Sequence, residues 1–569
     1  MKLERSIRKF VDNDLKINSW EVILPYFEDL GNREINNKNE LEKWLKDKSE
    51  LEAILEEDMA WRYINMTVDT TNEAYSKSYA FFVNEIAPKS SPYDDILNKK
   101  LMSSPGRAEL EKEEAYRLYF RSVRKSIALF REENIPLETQ IQTKSSEYGS
   151  ISGAQNIEWE EKTITMQQAS NLLKKQDETI RKTAFEKISA RRAQDIESME
   201  TLFDDLVKLR HTVALNAGYE NFRDYKFDAL GRFDYTAEDC FEFHNSIKTH
   251  IVPLVNEIRK KHAKKLSAGK IKPWNTEVDP DGLEPLTPFE NGKELLEKSK
   301  LIFNKIDPYF GNCLQTMEEM KHLDLDSKKG KAPGGYNYPL YEIGVPFIFM
   351  NAAGAQRDVV TMIHEGGHAV HSFLSRELSL TAFKNLPSEV AELASMSMEL
   401  ISMEYWDEFY SDENDLRRAK REQLEGILKV LPWIATIDAF QHWIYTNPNH
   451  TREERKEEWL NLQEIYGNPH VDWEKNEANI AYAWHRQLHL FEVPFYYIEY
   501  GISQLGALGV WKNSLDDKSK ALQDYKNALS LGYTNDIPTI YKTANLKFDF
   551  SSSTVQNLAK FTNNKLLEL

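Results

Sequence analysis

The chain has 569 residues, of which 41% are hydrophobic and 11% aromatic, enough for a large buried core and unlike a disordered or fibrous chain. Lysine and arginine total 73 against 91 aspartates and glutamates, a net charge of -18, the wrong sign for tracking a phosphate backbone or an anionic membrane surface. The only two cysteines, Cys240 and Cys313, lack C-x-x-C spacing, which excludes a disulfide framework and a thiolate zinc knuckle and fits a reducing, cytoplasmic compartment.

The first residues, Met1-Lys2-Leu3-Glu4-Arg5-Ser6, lack the apolar run of an export signal. Leu41, Trp44, Leu45, Ile54, Leu55, Met59, Tyr63 and Met66 then recur at three- and four-residue steps, which predicts helices through the first 130 residues. Over 147–165 the period changes. Tyr148-Gly149-Ser150-Ile151-Ser152-Gly153 leads into Asn156 to Ile164, which predicts a hairpin, and Thr165 with Gln168 forms a capping box that restarts helix. The expected division is an N-terminal helical lobe, 1–190, carrying that hairpin, and a larger region, 191–569.

Pro273, Pro280, Pro285 and Pro288 between Lys272 and Gly292 predict a long loop. A second punctuated segment holds Gly330, Pro333, Gly334, Gly335 and Pro339. After it, Val345-Pro346-Phe347-Ile348-Phe349-Met350 reads as a strand with Pro346 near its start or on a sheet edge. The most apolar long stretch, Ile427 to Tyr445, is broken by Lys429, Pro432, Asp438 and His442 and does not read as a membrane span.

Asp358 to Leu378 reads as one helix and contains His364-Glu365-Gly366-Gly367-His368. Imidazoles at i and i+4 lie about 40° apart in azimuth and about 6 Å apart along the axis, so both reach one cation, with Glu365 beside it. Paired glycines are costly inside a helix and imply a close neighbour, a substrate or a packed strand. His371, about 10 Å along the axis from His364, is too far to share that ion. A third ligand comes from another element. Leu386-Pro387-Ser388 signals a helix start with Ser388 as N-cap, and Glu389, Glu392, Met396 and Glu399 follow on one face, with Glu392 in its middle.

These residues resemble the thimet oligopeptidase and oligoendopeptidase F family of zinc metallopeptidases, and most closely its bacterial oligoendopeptidase F branch. The resemblance rests on His364-Glu365-Gly366-Gly367-His368-Ala369-Val370-His371, on Glu392-Leu393-Ala394-Ser395 and Glu399, on Gly334-Gly335-Tyr336, and on the strand from Pro346 to Asn351. It extends to Trp484-His485-Arg486-Gln487-Leu488-His489 and Pro494-Phe495-Tyr496-Tyr497-Ile498-Glu499-Tyr500. It implies a mainly α fold, a two-lobed helical ellipsoid with a deep channel, a small β element and a catalytic domain over 191–569. It further implies one Zn²⁺ per chain on His364, His368 and Glu392, Glu365 as general base, and internal cleavage of short unstructured peptides.

His489, Tyr500 and Tyr496 are then the expected oxyanion donors. Gly334, Gly335 and Tyr336 would admit the peptide backbone, and the strand around Phe349 would offer an edge to it. Ile498 departs from the family, which often has tyrosine there. Two other readings share these motifs: a zinc carboxypeptidase of the Taq type, which needs a basic clamp for the substrate carboxylate, and a silent peptide-binding protein, for which Glu365 would be superfluous.

Overall fold

The computed structural model describes residues 3–267 and 269–569. Helix dominates. Asn37 opens the long helix α1 (Lys38–Val68) by accepting from the Glu40 amide, and Leu41, Trp44, Leu45 and Ile54 on its inner face enter an N-terminal core with Phe27, Phe82 and Phe120. Helix α2 (Ile135–Gly153) carries proline in its first turn, where a missing N–H costs nothing. It runs on through Gly149 and Gly153, so the expected hairpin does not begin at 147. Tertiary packing overrides the glycines: Tyr148 stacks on Phe491 with ring centroids 4.5 Å apart, and the Ser145 hydroxyl donates to the Phe491 carbonyl.

The hairpin is β1 (Asn156–Trp159) and β2 (Lys162–Thr165), antiparallel with Ile157 opposite Ile164. Its two-residue turn is Glu160-Glu161, both at positive φ (47° and 64°), the geometry that matches strand twist. Thr165 and Gln168 form the expected capping box at the start of α3 (Met166–Leu172). Helix α4 (Ala237–Ser246) opens on a second capping box, Thr236 with Asp239. The predicted loop over 272–292 holds one short turn, Pro273–Asn275, before a helix begins at Gly292.

Three strands form the second sheet: β3 (Leu323–Asp326), β4 (Tyr336–Tyr338) and β5 (Phe347–Ala352), in the order β3-β5-β4. β3 runs parallel and β4 antiparallel to β5. Pro346 directly precedes β5, as expected. The expected free edge at Phe347 to Asn351 is absent, because neighbours pair on both sides of β5; β4 is an edge strand instead.

Four helices follow that build and back the site: α5 (Gln356–Ser375), α6 (Ser388–Ser402), α7 (Glu413–Thr446) and α8 (Tyr497–Asp516). Val359, Met362, Ile363, Ala369, Val370 and Phe373 of α5 are buried in one core with Val390, Leu393, Ala394 and Met398 of α6. That spacing marks an apolar face, and burying each large side chain is worth about 1.5–3 kcal/mol. A second core joins α4 and α7 to the start of α8 through Cys240, Phe243, Phe440, Ile444 and Ile498. Ser388 is the first residue of α6 and does not cap it: Pro387 holds the N-cap position and no side chain bonds there. Among the described residues no helix is long and apolar enough to cross a membrane.

Candidate active site

The two glycines of α5 explain how its histidines meet a carboxylate. A Cβ on Gly367 would lie 2.6 Å from Ser395 Cα and 3.1 Å from the Ala394 oxygen, and one on Gly366 would strike the Phe303 ring. The close neighbours are thus helix α6 and an aromatic ring rather than a strand or a substrate. Without a side chain at 367 the backbones of α5 and α6 approach closely, and Glu392 comes within reach of both imidazoles.

His364 Nε2 lies 3.3 Å and His368 Nε2 3.7 Å from Glu392 Oε2, and the two rings stand nearly perpendicular, 4.8 Å apart. Donor atoms of all three residues fall within 4.8 Å of one another. The other nitrogen of His364, Nδ1, is 2.7 Å from Glu399 Oε1, and Gln423 Nε2 donates to Glu399 Oε2 at 2.7 Å. This directs Nε2 of His364 toward the cluster, the outer support that metal-binding imidazoles use. Two imidazoles and a carboxylate fit a divalent cation of intermediate softness.

Glu389, the other carboxylate on the predicted face, is occupied elsewhere, accepting from the Tyr235 hydroxyl at 2.7 Å. His371 is buried with neither ring nitrogen hydrogen-bonded; burial pushes its pKa down to about 3, and it takes no part in the cluster.

The electrostatics divide the carboxylates. Burial alone would raise Glu392, but the His368 and His364 rings and the Tyr496 hydroxyl outweigh it and hold the carboxyl down to about 2. Glu365, next to His364 but aimed elsewhere, is pushed up to about 7, first by burial and then by Glu392 and Glu399, with the His364 charge opposing. A buried carboxyl near neutrality beside a candidate cation cluster suits a proton carrier. Its backbone oxygen accepts from Asn337 Nδ2 at 3.3 Å, tying edge strand β4 to the helix.

The late aromatic segment reaches the same place. The Tyr496 hydroxyl donates to Glu392 Oε1 at 2.8 Å, so it is engaged with the carboxylate of the cluster. Tyr500 instead lies 3.3 Å from His489 Nε2. The proton on His489 can be traced from its partners. Trp433 Nε1, which only donates, bonds to Gln487 Oε1 at 2.9 Å. The Gln487 amide nitrogen therefore faces His489 Nδ1 at 2.7 Å, which leaves the His489 proton on Nε2, aimed at Tyr500. Burial lowers His489 to about 4, keeping it neutral. Ile498 is wholly buried in the core behind this segment, so a tyrosine there would point away from the cluster.

The residues expected to touch substrate divide. Gly334 (φ 99°) has open space where a side chain would stand, and Gly335 lies against the Phe349 carbonyl. Both line a cavity of about 3010 Å³, which also takes in Arg357 and Thr361 of α5 and, farther along, Arg192 and Arg486. A smaller cavity of about 220 Å³ touches Asn337, His368, Glu392 and Tyr496. Tyr336 is engaged within the protein: its ring stacks on Phe349 at 4.8 Å and its hydroxyl meets Thr67 of α1 at 2.6 Å. Phe349 is fully buried and offers no surface.

Glu399 was among the candidate carboxylates, but its partnership with His364 and Gln423 was not foreseen. Neither were the roles of Asn337, Trp433 and Gln487, nor the two arginines of the large cavity. Burial lowers both guanidinium groups, that of Arg192 to about 10.

The profile of peptidase family M3 matches residues 171–559, and that of the peptidase M3 N-terminal domain matches residues 10–130. An oligoendopeptidase F homolog from Borreliella burgdorferi is 22% identical over 550 residues, covering 91% of this chain and 88% of that protein. Oligopeptidase PepF of Bacillus subtilis is 24% identical over 382 residues, or 65% of this chain; the match spans about half, 54%, of that relative's length. A solved structure of PZ peptidase A with an inhibitor superposes with a TM-score of 0.92 at 27% identity, over 99% of both chains. The chain belongs to peptidase family M3.

Proposed function

We propose that this protein is a zinc-dependent oligoendopeptidase that hydrolyses internal bonds of short, unstructured peptides. The observation that carries the proposal is the convergence of His364, His368 and Glu392 within 4.8 Å with Glu365, a buried carboxyl held near neutrality, as the next residue on the same helix. The chemistry that zinc supplies when bound to such a set is Lewis acidity, which polarises a carbonyl and acidifies water.

The remaining work falls to the chain. Glu365 removes the proton from the attacking water and returns it to the leaving amine. His489, carrying its proton on Nε2, and the Tyr500 hydroxyl donate to the oxyanion as charge develops. Tyr496 fixes the orientation of Glu392. Gly334 and Gly335 admit the substrate backbone, and the outer edge of β4 pairs with it, since a strand bonded on one side only has free N–H and C=O groups.

The lobe of residues 1–190 and the catalytic domain of residues 191–569 together wall the large cavity, which takes an extended chain and excludes folded proteins. The two free, buried cysteines support a reducing cytoplasmic setting.

The test is a digest of peptides of graded length, each with a free and with a blocked C-terminus, with and without a chelator. Internal cuts in chains of roughly 6 to 20 residues, abolished by chelation and restored by zinc, are the expected result. Release of residues only from free C-termini would replace the reading with a carboxypeptidase, and rapid degradation of a native globular protein would contradict the enclosed channel.

A further inference from the structure

A second set of ligand-type side chains lies in the core between α4 and α7. Cys240 and His244 are one turn apart on α4, and Asp438 and His442 one turn apart on α7, so each pair shares a helix face and the two faces meet. Donor atoms of Cys240, Asp438 and His442 all lie within 4.8 Å of one another. His442 Nε2 is 3.3 Å from Asp438 Oδ2, close to the edge of about 3.4 Å in a tetrahedron of bonds about 2.1 Å long. His244 Nε2 is 2.8 Å from that same oxygen.

The surroundings leave these groups unprovided for. Cys240 and Asp438 are 0% exposed and His442 is 3% exposed. Asp438 Oδ1 and both ring nitrogens of His442 have no hydrogen-bond partner. The His442 ring is enclosed by Phe227, Phe241 and Phe495, with centroids 5.8, 4.8 and 5.4 Å away. Buried polar atoms are almost always satisfied, and three orphaned ones on two adjacent side chains, converging with a thiol, mark a place built for a ligand. Thiol, carboxylate and imidazole are together the donor set of a zinc-type cation.

We propose that Cys240, Asp438 and His442 bind a second, structural zinc-type cation, with His244 holding the Asp438 carboxylate and standing where a fourth donor is recruited by a rotation of its ring. On binding, the Cys240 S–H bond breaks, the proton leaves to solvent and the sulfur lone pair goes to the cation. The ion clips α4 to α7 behind Phe495, the residue that leads into Tyr496. Because the site is sealed, the cation enters as the chain folds and resists chelators that empty the exposed cluster.

The test is to express the full chain in zinc-depleted, cobalt-supplemented medium and measure metal content and the absorption spectrum. The His364, His368 and Glu392 cluster contains no sulfur, so a thiolate-to-cobalt charge-transfer band reports on the second site alone. The expected results are two metal ions per chain and a thiolate band. The His364→Ala/His368→Ala protein should keep one ion and the band. Cys313→Ser should also keep the band, and Cys240→Ser should lose it. A wild-type protein with no thiolate band, or a band that survives Cys240→Ser, overturns the proposal; the wild-type spectrum decides even if a variant fails to fold.

Discussion

Replacing Gly367 with alanine tests whether helix contact sets the geometry of the cation site. The added Cβ would stand 2.6 Å from Ser395 Cα, whereas carbon atoms settle at about 3.5–4.0 Å, so α5 and α6 must part by about 1 Å. Ser395 lies one turn beyond Glu392, and the shift is felt where Glu392 Oε2 sits 3.3 and 3.7 Å from the imidazoles. Overpacking of this kind costs about 1–3 kcal/mol, and the better helix propensity of alanine returns about 1 kcal/mol. The net loss of stability is thus at most about 2 kcal/mol. Zinc affinity should fall by about 10- to 100-fold, the range seen when the support of a metal ligand is disturbed. Chelator competition measures the affinity and melting of the metal-free protein measures the stability. Gly426→Ala on α7 is the control: a Cβ there meets nothing within 4 Å, so it should stabilise the protein slightly and leave zinc binding alone. Wild-type zinc affinity in Gly367→Ala would refute the argument that this glycine sets the approach of Glu392.

The two tyrosines should separate. Tyr496→Phe removes the hydroxyl that bonds Glu392 and should weaken zinc binding, whereas Tyr500→Phe should keep zinc and lose about 10²–10³ in turnover; equal zinc affinity with lost turnover in both would assign them one shared role. Gln487→Leu removes the donor to His489 Nδ1 and releases the other tautomer, so kcat should fall about tenfold or more with KM little changed, as steady-state kinetics would reveal. Lys226 is held at about 8, below its ordinary 10.5, by burial and by the Arg210 and Arg232 charges. The folded state disfavours its ammonium, so the penalty is complete below pH 8 and vanishes as pH rises to 10.5. Lys226→Met should therefore stabilise the protein by up to about 3 kcal/mol at pH 7, with the gain fading by pH 10.5 in thermal melts.

The sequence made legible whatever depends on local spacing. The i, i+4 histidines, the Thr165 capping box, the proline-rich loop and the helical face bearing Glu392 all follow from residues within a few turns of one another. What depends on distant partners was not legible. The placement of β5 between β3 and β4 is a matter of strand order, which a short apolar run does not encode, and it moved the candidate peptide-binding edge from Phe349 to β4. Helix α2 outran its glycines because Tyr148 docks on Phe491, some 340 residues away. The His364–Glu399–Gln423 chain joins three helices, and none of its members has a pattern that names its partners. The cysteine spacing spoke only against a knuckle, since the ligands that join Cys240 are a carboxylate and imidazoles.

The central claim, that hydrolysis runs on a cation held by His364, His368 and Glu392 with Glu365 moving the proton, is tested most directly by zinc content and peptide turnover measured together on Glu365→Gln. The substitution keeps the shape of the side chain and removes its ability to take a proton. The account predicts stoichiometric zinc, unchanged peptide binding and a loss of about 10² or more in turnover. Near-normal turnover in a zinc-loaded Glu365→Gln protein would contradict it.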